Sequence, residues 1–314
     1  MDTPYDVIIA GGGPAGTAAA VYAARKRLKT LLVTDEWGGQ STVSPDIHNW
    51  IGDISVSGAD LAKKLRAHVE SYQGDSLTVA HPLRAQSLAT FPDHIELTVS
   101  NGEVHRARTL LIATGSKRRK LEVPGAAEFD QKGLTYCASC DGPLFTDQDV
   151  AVVGGGNAAF ETAMQLLSYC KSVTLLNRGD TFRADEVTVE KVLKHPKMTV
   201  LKNVALKGVV GDKFVSGLRY ADAAGTESLL PVAGIFVEIG LIPNTDWVTS
   251  PDIKQNEVRQ IIVDPRTQRS THPRVWAAGD CTDGMYHQNN IAVGDAVKAL
   301  EDLYLFVHQD TNHS

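Results

Sequence analysis

A glycine-rich turn occurs twice in this chain, each time between a short apolar strand and a helix-forming segment. The first copy is Gly11-Gly12-Gly13-Pro14-Ala15-Gly16, after the apolar run Tyr5 to Ala10. The second begins 143 residues later as Gly154-Gly155-Gly156-Asn157-Ala158-Ala159, after Asp149 to Val153. A strand that turns straight into a helix and is followed by another strand makes a βαβ crossover, which packs onto a parallel sheet covered by helices. Repetition of that unit predicts an α/β chain of two doubly wound, Rossmann-like nucleotide-binding domains.

In such a turn the first glycine permits the tight bend, the second lets backbone approach a pyrophosphate, and the third allows close helix–strand packing. Gly11, Gly13 and Gly16 take those roles. Pro14 and Ala15 open a helix, running to about Arg27, whose free N–H groups and dipole suit phosphate. The next strand, Lys29 to Val33, leads to Asp35, 19 residues after Gly16, placed to hydrogen-bond a ribose hydroxyl. Dinucleotide binding is the expected role of this copy. In the second copy Gly154, Gly156, Asn157 and Ala158 form the turn and Ala159 replaces the third glycine. Its second strand, Val173 to Leu176, ends at Asn177, followed by Arg178 and Arg183. An uncharged Asn beside arginines favours a 2′-phosphate, hence NADPH, with NADH and a merely solvated loop as the alternatives.

The stretch from Leu77 to Val99 alternates apolar and polar residues and predicts antiparallel strands. A buried strand, Thr109 to Ala113, stops at Ala113-Thr114-Gly115, and another, Gly234 to Ile239, stops at Gly240 to Asn244. These two breaker points are expected to be crossings between domains. At 314 residues the chain exceeds the usual size of one core, and 43% hydrophobic with 22% charged residues excludes a mainly disordered chain. The formal charge of −6 argues against a nucleic-acid partner, and the basic run Lys117 to Lys120 reads as a solvated turn. No apolar run approaches a spanning helix and the first residues show no leader pattern, so no membrane association and a cytoplasmic location are expected.

Cys137 and Cys140 form a C-x-x-C. Zinc lacks a second ligand pair, so no metal is expected, and a structural disulfide suits a cytoplasmic chain poorly. A redox dithiol is the favoured reading, with Asp141 as the carboxyl that supplies or removes a proton at the leaving thiolate. Cys170 is expected on the helix after the second turn as a buried small hydrophobe, and Cys281 as core or flavin-proximal packing.

These motifs together resemble the low-molecular-weight thioredoxin reductases, and particularly the C-terminal reductase module of the alkyl hydroperoxide reductase flavoprotein subunit. The resemblance covers essentially the whole chain. It is carried by G-G-G-P-A-G, W-G-G-Q at Trp37 to Gln40, H-N-W at His48 to Trp50, A-T-G at Ala113 to Gly115 and C-A-S-C-D-G-P-L-F at Cys137 to Phe145. G-G-G-N-A-A, G-I-F-V-E-I-G-L-I-P-N-T at Gly234 to Thr245 and A-A-G-D-C-T-D at Ala277 to Asp283 complete it. It implies FAD contacts at Gly11, Gly13, Pro14, Ala15, Gly16, Asp35, Gly39, Gln40, Asn49, Thr114 and Gly115, and at Gly279, Asp280 and Gln288. The implied FAD domain comprises residues 1–116 and 245–314, with an NAD(P)H domain, 117–244, inserted between them.

The resemblance also implies that Cys140 lies against the flavin, that Cys137 exchanges with a protein disulfide, and that Asp141 is the acid/base. A homodimer and rotation of the inserted domain about hinges near Ser116 and Asn244 are part of the same expectation. Nothing before Gly11 corresponds to the fused dithiol module of the peroxide-reductase flavoprotein, so a thioredoxin-like or glutaredoxin-like acceptor is expected in trans. Two departures stand out. The NADPH pattern H-R-R-x-x-x-R reads N-R-G-D-T-F-R at Asn177 to Arg183, and relatives that prefer NADH carry a carboxylate at the Asn177 position. Asn289 and Asn290 replace mostly apolar residues at the start of the last helix, either satisfying helix-start amides or tuning the flavin. A dithiol oxidase using oxygen, a ferredoxin-linked reductase and a redox-responsive sensor remain the alternative functions.

Overall fold

The computed structural model describes residues 5–44 and 47–310. The reading of the N-terminus as leaderless includes residues 1–4 and so lies partly outside the described residues. The chain divides into two compact units, Met1–Lys117 with Ile242–Ser314, and Arg118–Leu241.

In the first unit the strands Leu77–Ala80, Thr30–Trp37, Tyr5–Gly12 and Val104–Ile112 lie side by side in parallel, and Val275–Ala277 also pairs in parallel with Val104–Ile112. Ile95–Val99 and Ala85–Thr90 extend the sheet antiparallel. Strand alternation splits the apolar residues into two cores. Val7 and Ile9 face Ala19, Ala20 and Ala23 of the helix Pro14–Arg25, together with Trp276, Ala296 and Leu303. Ile8 and Ala10 face Leu97, Ile112, Trp247 and Ile261 on the other side. Burial on both faces explains why these strands read as continuous apolar runs. The alanines let the first helix pack closely against the last, Asn289–Asp310.

Three local expectations need adjustment. Leu77–Ala80 pairs in parallel with Thr30–Trp37, so only the later part of the 77–99 stretch is antiparallel. The second strand continues to Trp37, which puts Asp35 inside it. The first helix ends at Arg25, and the chain then turns through Arg27 at φ 58°.

The second unit is built on a five-stranded parallel sheet in the order Met198–Leu201, Ser172–Leu176, Asp149–Val153, Gly234–Val237, Leu134–Thr135. One face packs Val150, Val152 and Phe236 on Phe160, Ala163 and Leu166 of the helix Asn157–Leu166. The other packs Ala151, Val153 and Ile235 on Val209, Val215 and Leu218 of a three-stranded antiparallel layer. Gly234–Val237 thus runs between the strand that enters the second glycine turn and the short strand that leads to Cys137. Cys170 lies beyond the end of the helix rather than on it; it is fully buried, and burial pushes its thiol up to about 11. Among the described residues no helix is long and apolar enough to cross a membrane.

Candidate active site

In the first unit the glycine turn forms a cradle of bare backbone. Gly11 has φ +122°, and a Cβ there would stand 2.2 Å from the Ala113 carbonyl oxygen. A Cβ on Gly16 would stand 1.8 Å from the Gly11 carbonyl oxygen, so helix and strand are as close as glycine permits. A Cβ on Gly13 would meet nothing nearer than the Gly39 Cα at 3.8 Å. No side chain caps the helix N-terminus, its first turn carries no acid, and Pro14 and Ala15 lead into it. That combination of an open glycine pair and uncapped N–H donors fits a pyrophosphate.

The other expected contacts of this unit surround the same edge or its flanking loops. Asp35 is paired with Arg84 at 2.7 Å. Gln40 Nε2 donates to the Ser116 carbonyl, Thr114 Oγ1 donates to the Asn244 carbonyl at 2.7 Å, and Gly115 adopts φ +64°. Asn49 Nδ2 donates to Gln288 Oε1 at 3.0 Å, bringing together two residues 239 positions apart. Gly279 has φ +76°, and Asp280 Oδ1 lies 3.5 Å from His287 Nδ1.

In the second unit Gly154 has φ +149°, and a Cβ there would stand 2.2 Å from the Glu238 carbonyl oxygen. Gly156 bridges Arg183, whose N–H donates to the Gly155 carbonyl at 2.8 Å. Asn157 Oδ1 accepts the Asp185 N–H at 2.8 Å, and Ala158 is exposed. Asn177 is buried, and its Nδ2 donates to the carbonyls of Gly179 at 3.0 Å and Thr181 at 2.9 Å. Its amide therefore shapes the loop, while Arg178 and Arg183 are exposed beside it.

Cys137 and Cys140 are joined by a disulfide, with Cα atoms 5.3 Å apart. Cys137 caps the short helix Ala138–Asp141, its Sγ accepting the Cys140 N–H at 3.2 Å. The Thr135 hydroxyl bonds the Asp141 carboxyl, and burial pushes that carboxyl above its usual range against the opposing effects of Thr135 and Arg118. Among the described residues no cluster could hold a metal ion.

Residues 5–296 match the family model described as pyridine nucleotide-disulphide oxidoreductase. The chain belongs to that family. Membership implies a flavin and a pyridine nucleotide, and the bonded C-x-x-C agrees with it. A thioredoxin reductase from Streptococcus pyogenes is 31% identical, with a TM-score of 0.88 over 98% of this chain and 100% of that one. An NADH dehydrogenase of Bacillus subtilis is 40% identical over 94% of this chain and 57% of its own length. One component of the alkyl hydroperoxide reductase of Staphylococcus aureus is 38% identical over 97% of this chain and 59% of its own length. The chain therefore spans somewhat over half the length of these curated relatives.

Against this family background two groups escaped the sequence reading. Arg118, read as part of a solvated basic run, acts electrostatically on both Asp141 and Glu238. Glu238 follows the strand Gly234–Val237, where it sits beside the second glycine turn. Its Oε1 accepts the Thr162 hydroxyl at 2.9 Å, and burial pushes it up to about 7. Only the contrast between an acid and its apolar strand could have flagged it. Because the folded value lies above the unfolded one, the associated stability is fully present below about pH 4.5 and is lost as pH rises through about 7. Glu238→Gln should remove that dependence, so that the variant gains on the order of 3 kcal/mol relative to wild type between the two ends of the window. Urea melts at the two pH values check this.

The two asparagines at the start of the last helix have structural partners. Asn289 Oδ1 accepts the Ser41 hydroxyl at 3.0 Å, and Asn290 Nδ2 donates to the Asn49 carbonyl at 2.7 Å. With the Asn49–Gln288 bond they staple Ser41 and Asn49 to the helix start. Cys281 is fully buried with its thiol pushed up to about 12, and Sγ lies 3.4 Å from the Ala278 carbonyl oxygen, as suits core packing.

Proposed function

We propose that this chain carries electrons from a reduced pyridine nucleotide, through FAD, to the Cys137–Cys140 disulfide and on to a disulfide of a thioredoxin-like protein. The observation that carries the reading is a bonded C-x-x-C flanked by a half-buried carboxyl, on the unit that also holds a glycine turn edged by arginines. FAD would be held by Gly11, Gly13, the helix start at Pro14, Ala15 and Gly16, and by Asp35, Gly39, Gln40, Asn49, Thr114, Gly115, Gly279, Asp280 and Gln288. The bound flavin supplies the exchange between hydride transfer and thiol chemistry. Gly154, Gly156, Asn157 and Ala158 would receive the nucleotide pyrophosphate, with Asn177 holding the loop from which Arg178 and Arg183 meet a 2′-phosphate. NADPH is accordingly the proposed donor over NADH.

A thiolate on Cys137 attacks the partner's disulfide, whose S–S bond breaks as the mixed disulfide forms. Cys140 then attacks the Cys137 sulfur and displaces the partner sulfur bonded to it, restoring the Cys137–Cys140 bond and leaving the partner as a dithiol. Asp141 exchanges the proton with the sulfurs, and a glutaredoxin-like fold is the alternative acceptor. The active form is proposed to be a homodimer in the cytoplasm. Anaerobic stopped-flow mixing with each nucleotide tests the donor: NADPH should bleach the flavin band faster than NADH, and Arg183→Gln should shrink that ratio by about tenfold. No bleaching by either nucleotide, with bleaching by a small dithiol, would transfer the assignment to a ferredoxin-linked reductase or a dithiol oxidase.

A further inference from the structure

The helix that carries the dithiol is too short to hold itself. Ala138–Asp141 is a single turn, and a lone turn is unstable in water, so what aims Cys137 and Cys140 comes from the surroundings of that turn. Part of the support is apolar: Ala138 is buried in the core cluster that contains Phe160, Ala163 and Leu166 of the helix Asn157–Leu166. A polar part comes from the same helix. Gln165 Nε2 donates to the Ala138 carbonyl at 3.4 Å, and Gln165 Oε1 accepts the Ser139 hydroxyl at 3.3 Å, so one amide spans the two residues between the cysteines. Four residues further on, just past the helix end, stands Tyr169. Its hydroxyl oxygen is buried and would lie 2.2 Å from a Cβ on Gly142, with the ring carbon behind it at 3.1 Å. Gly142 has φ −51°, which suits any residue, so packing, chiefly against Tyr169, and not backbone conformation demands glycine there.

The two side chains thus grip both ends of the turn, Gln165 at its first two residues and Tyr169 under the glycine that follows it. Within the turn the Cys140 N–H donates to the Cys137 sulfur at 3.2 Å, and such a donor favours the charged form of a thiol. That bond exists only while the turn keeps its shape. We propose that Gln165 and Tyr169 are positioning residues of the dithiol centre, holding the Ala138–Asp141 turn so that, once the disulfide is reduced, the Cys140 N–H stays on the Cys137 sulfur and makes Cys137 the readily ionised thiol of the pair. Asp141 is the charged group within the same turn, its carboxyl pushed up by burial with Thr135 and Arg118 opposing, and the variants below leave all three in place. Burial pushes the Tyr169 phenol up as well, so it stays un-ionised at neutral pH.

The inference rests on reading Cys137–Cys140 as a redox dithiol, and its test needs neither nucleotide nor flavin turnover. The full chain is reduced anaerobically with dithiothreitol, desalted, and alkylated with iodoacetamide at a series of pH values, and the rate at Cys137 is followed by peptide mass spectrometry. Gln165→Leu keeps the bulk and removes both hydrogen bonds. Its Cys137 inflection should move to higher pH and its rate at neutral pH should fall by about tenfold, with no fall at the alkaline end of the series. Ser139→Ala, at an exposed position, removes one of the bonds and should slow the neutral rate by about threefold, and the double variant should be no slower than Gln165→Leu alone. Gly142→Ala pushes the turn off Tyr169 and should also slow Cys137. Adding Tyr169→Phe, which removes the atom in the way, should restore most of the rate.

A Gln165→Leu profile that superimposes on wild type overturns the proposal. So does a rate that falls equally at every pH with an unmoved inflection, because access to the sulfur, not its ionisation, would then have changed. A slow Gly142→Ala protein that Tyr169→Phe leaves slow overturns the role of Tyr169. Should Gln165→Leu fail to fold by circular dichroism, Ser139→Ala decides: an upward shift supports the role of Gln165 and an unmoved inflection overturns it. Failure of the proposed function shows instead as a flavin that no nucleotide bleaches, so the two failures are distinguishable.

Discussion

Gly13→Val is expected to yield a folded protein that has lost its flavin. Gly13 has φ −77°, which any residue adopts, and a Cβ there meets nothing within 3.8 Å, so the protein itself tolerates the side chain. The branched group would instead fill the gap facing Gly39 and cover the uncapped helix start. Stability should change by no more than about 1 kcal/mol, while FAD affinity falls by at least about a hundredfold. Gly16→Ala makes the contrast, because its Cβ would lie 1.8 Å from the Gly11 carbonyl oxygen and would force helix from strand. That variant should lose stability even without cofactor. Absorbance of the purified proteins and thermal melts separate the two effects. A Gly13→Val protein that retains stoichiometric flavin would remove the glycine turn from the cofactor site.

Cys140→Ser should abolish turnover with a thioredoxin-like disulfide while leaving flavin binding intact. The Cys137 sulfur accepts the Cys140 N–H, an interaction that favours a thiolate at position 137. In the variant that thiolate still opens the partner's disulfide, but no second sulfur displaces the partner, and a one-to-one covalent adduct accumulates. Non-reducing electrophoresis reads the adduct directly, and Cys137→Ser should form none. Normal turnover by Cys140→Ser would mean that electrons bypass the pair.

Features written in contiguous residues were the most legible in the sequence. The two glycine turns were recognisable because strand, turn and helix follow one another, and packing of a parallel sheet on helices then dictated the α/β class. Pairing directions were less accessible. Leu77–Ala80 alternates like an edge strand, yet it pairs in parallel because the helix Gly58–Glu70 carries the chain back to the same end of the sheet. Leu134–Thr135 is too short to have any period, although it aims Cys137. Arg118 and Glu238 stand 120 positions apart in sequence, and only the folded chain lets the Arg118 charge act on the Glu238 carboxyl. Asn177 was legible as a departure from a motif, whereas its inward hydrogen bonds depend on a loop whose path the motif does not encode.

The split composition of the first unit has a consequence for synthesis. Val275–Ala277 completes its parallel sheet and Asn289–Asp310 covers one face, so Trp276 and Leu303 share a core with Val7 and Ile9. A nascent chain cannot close that core until nearly all of it has left the ribosome, whereas residues 118–241 are complete much earlier and can fold while the remainder is still being made. The early strands must wait meanwhile with apolar faces uncovered. Arrest of translation after residue 241 should therefore leave a protease-resistant central fragment flanked by a protease-sensitive N-terminal segment, a vectorial order of folding opposite to the order in which the two glycine turns are made.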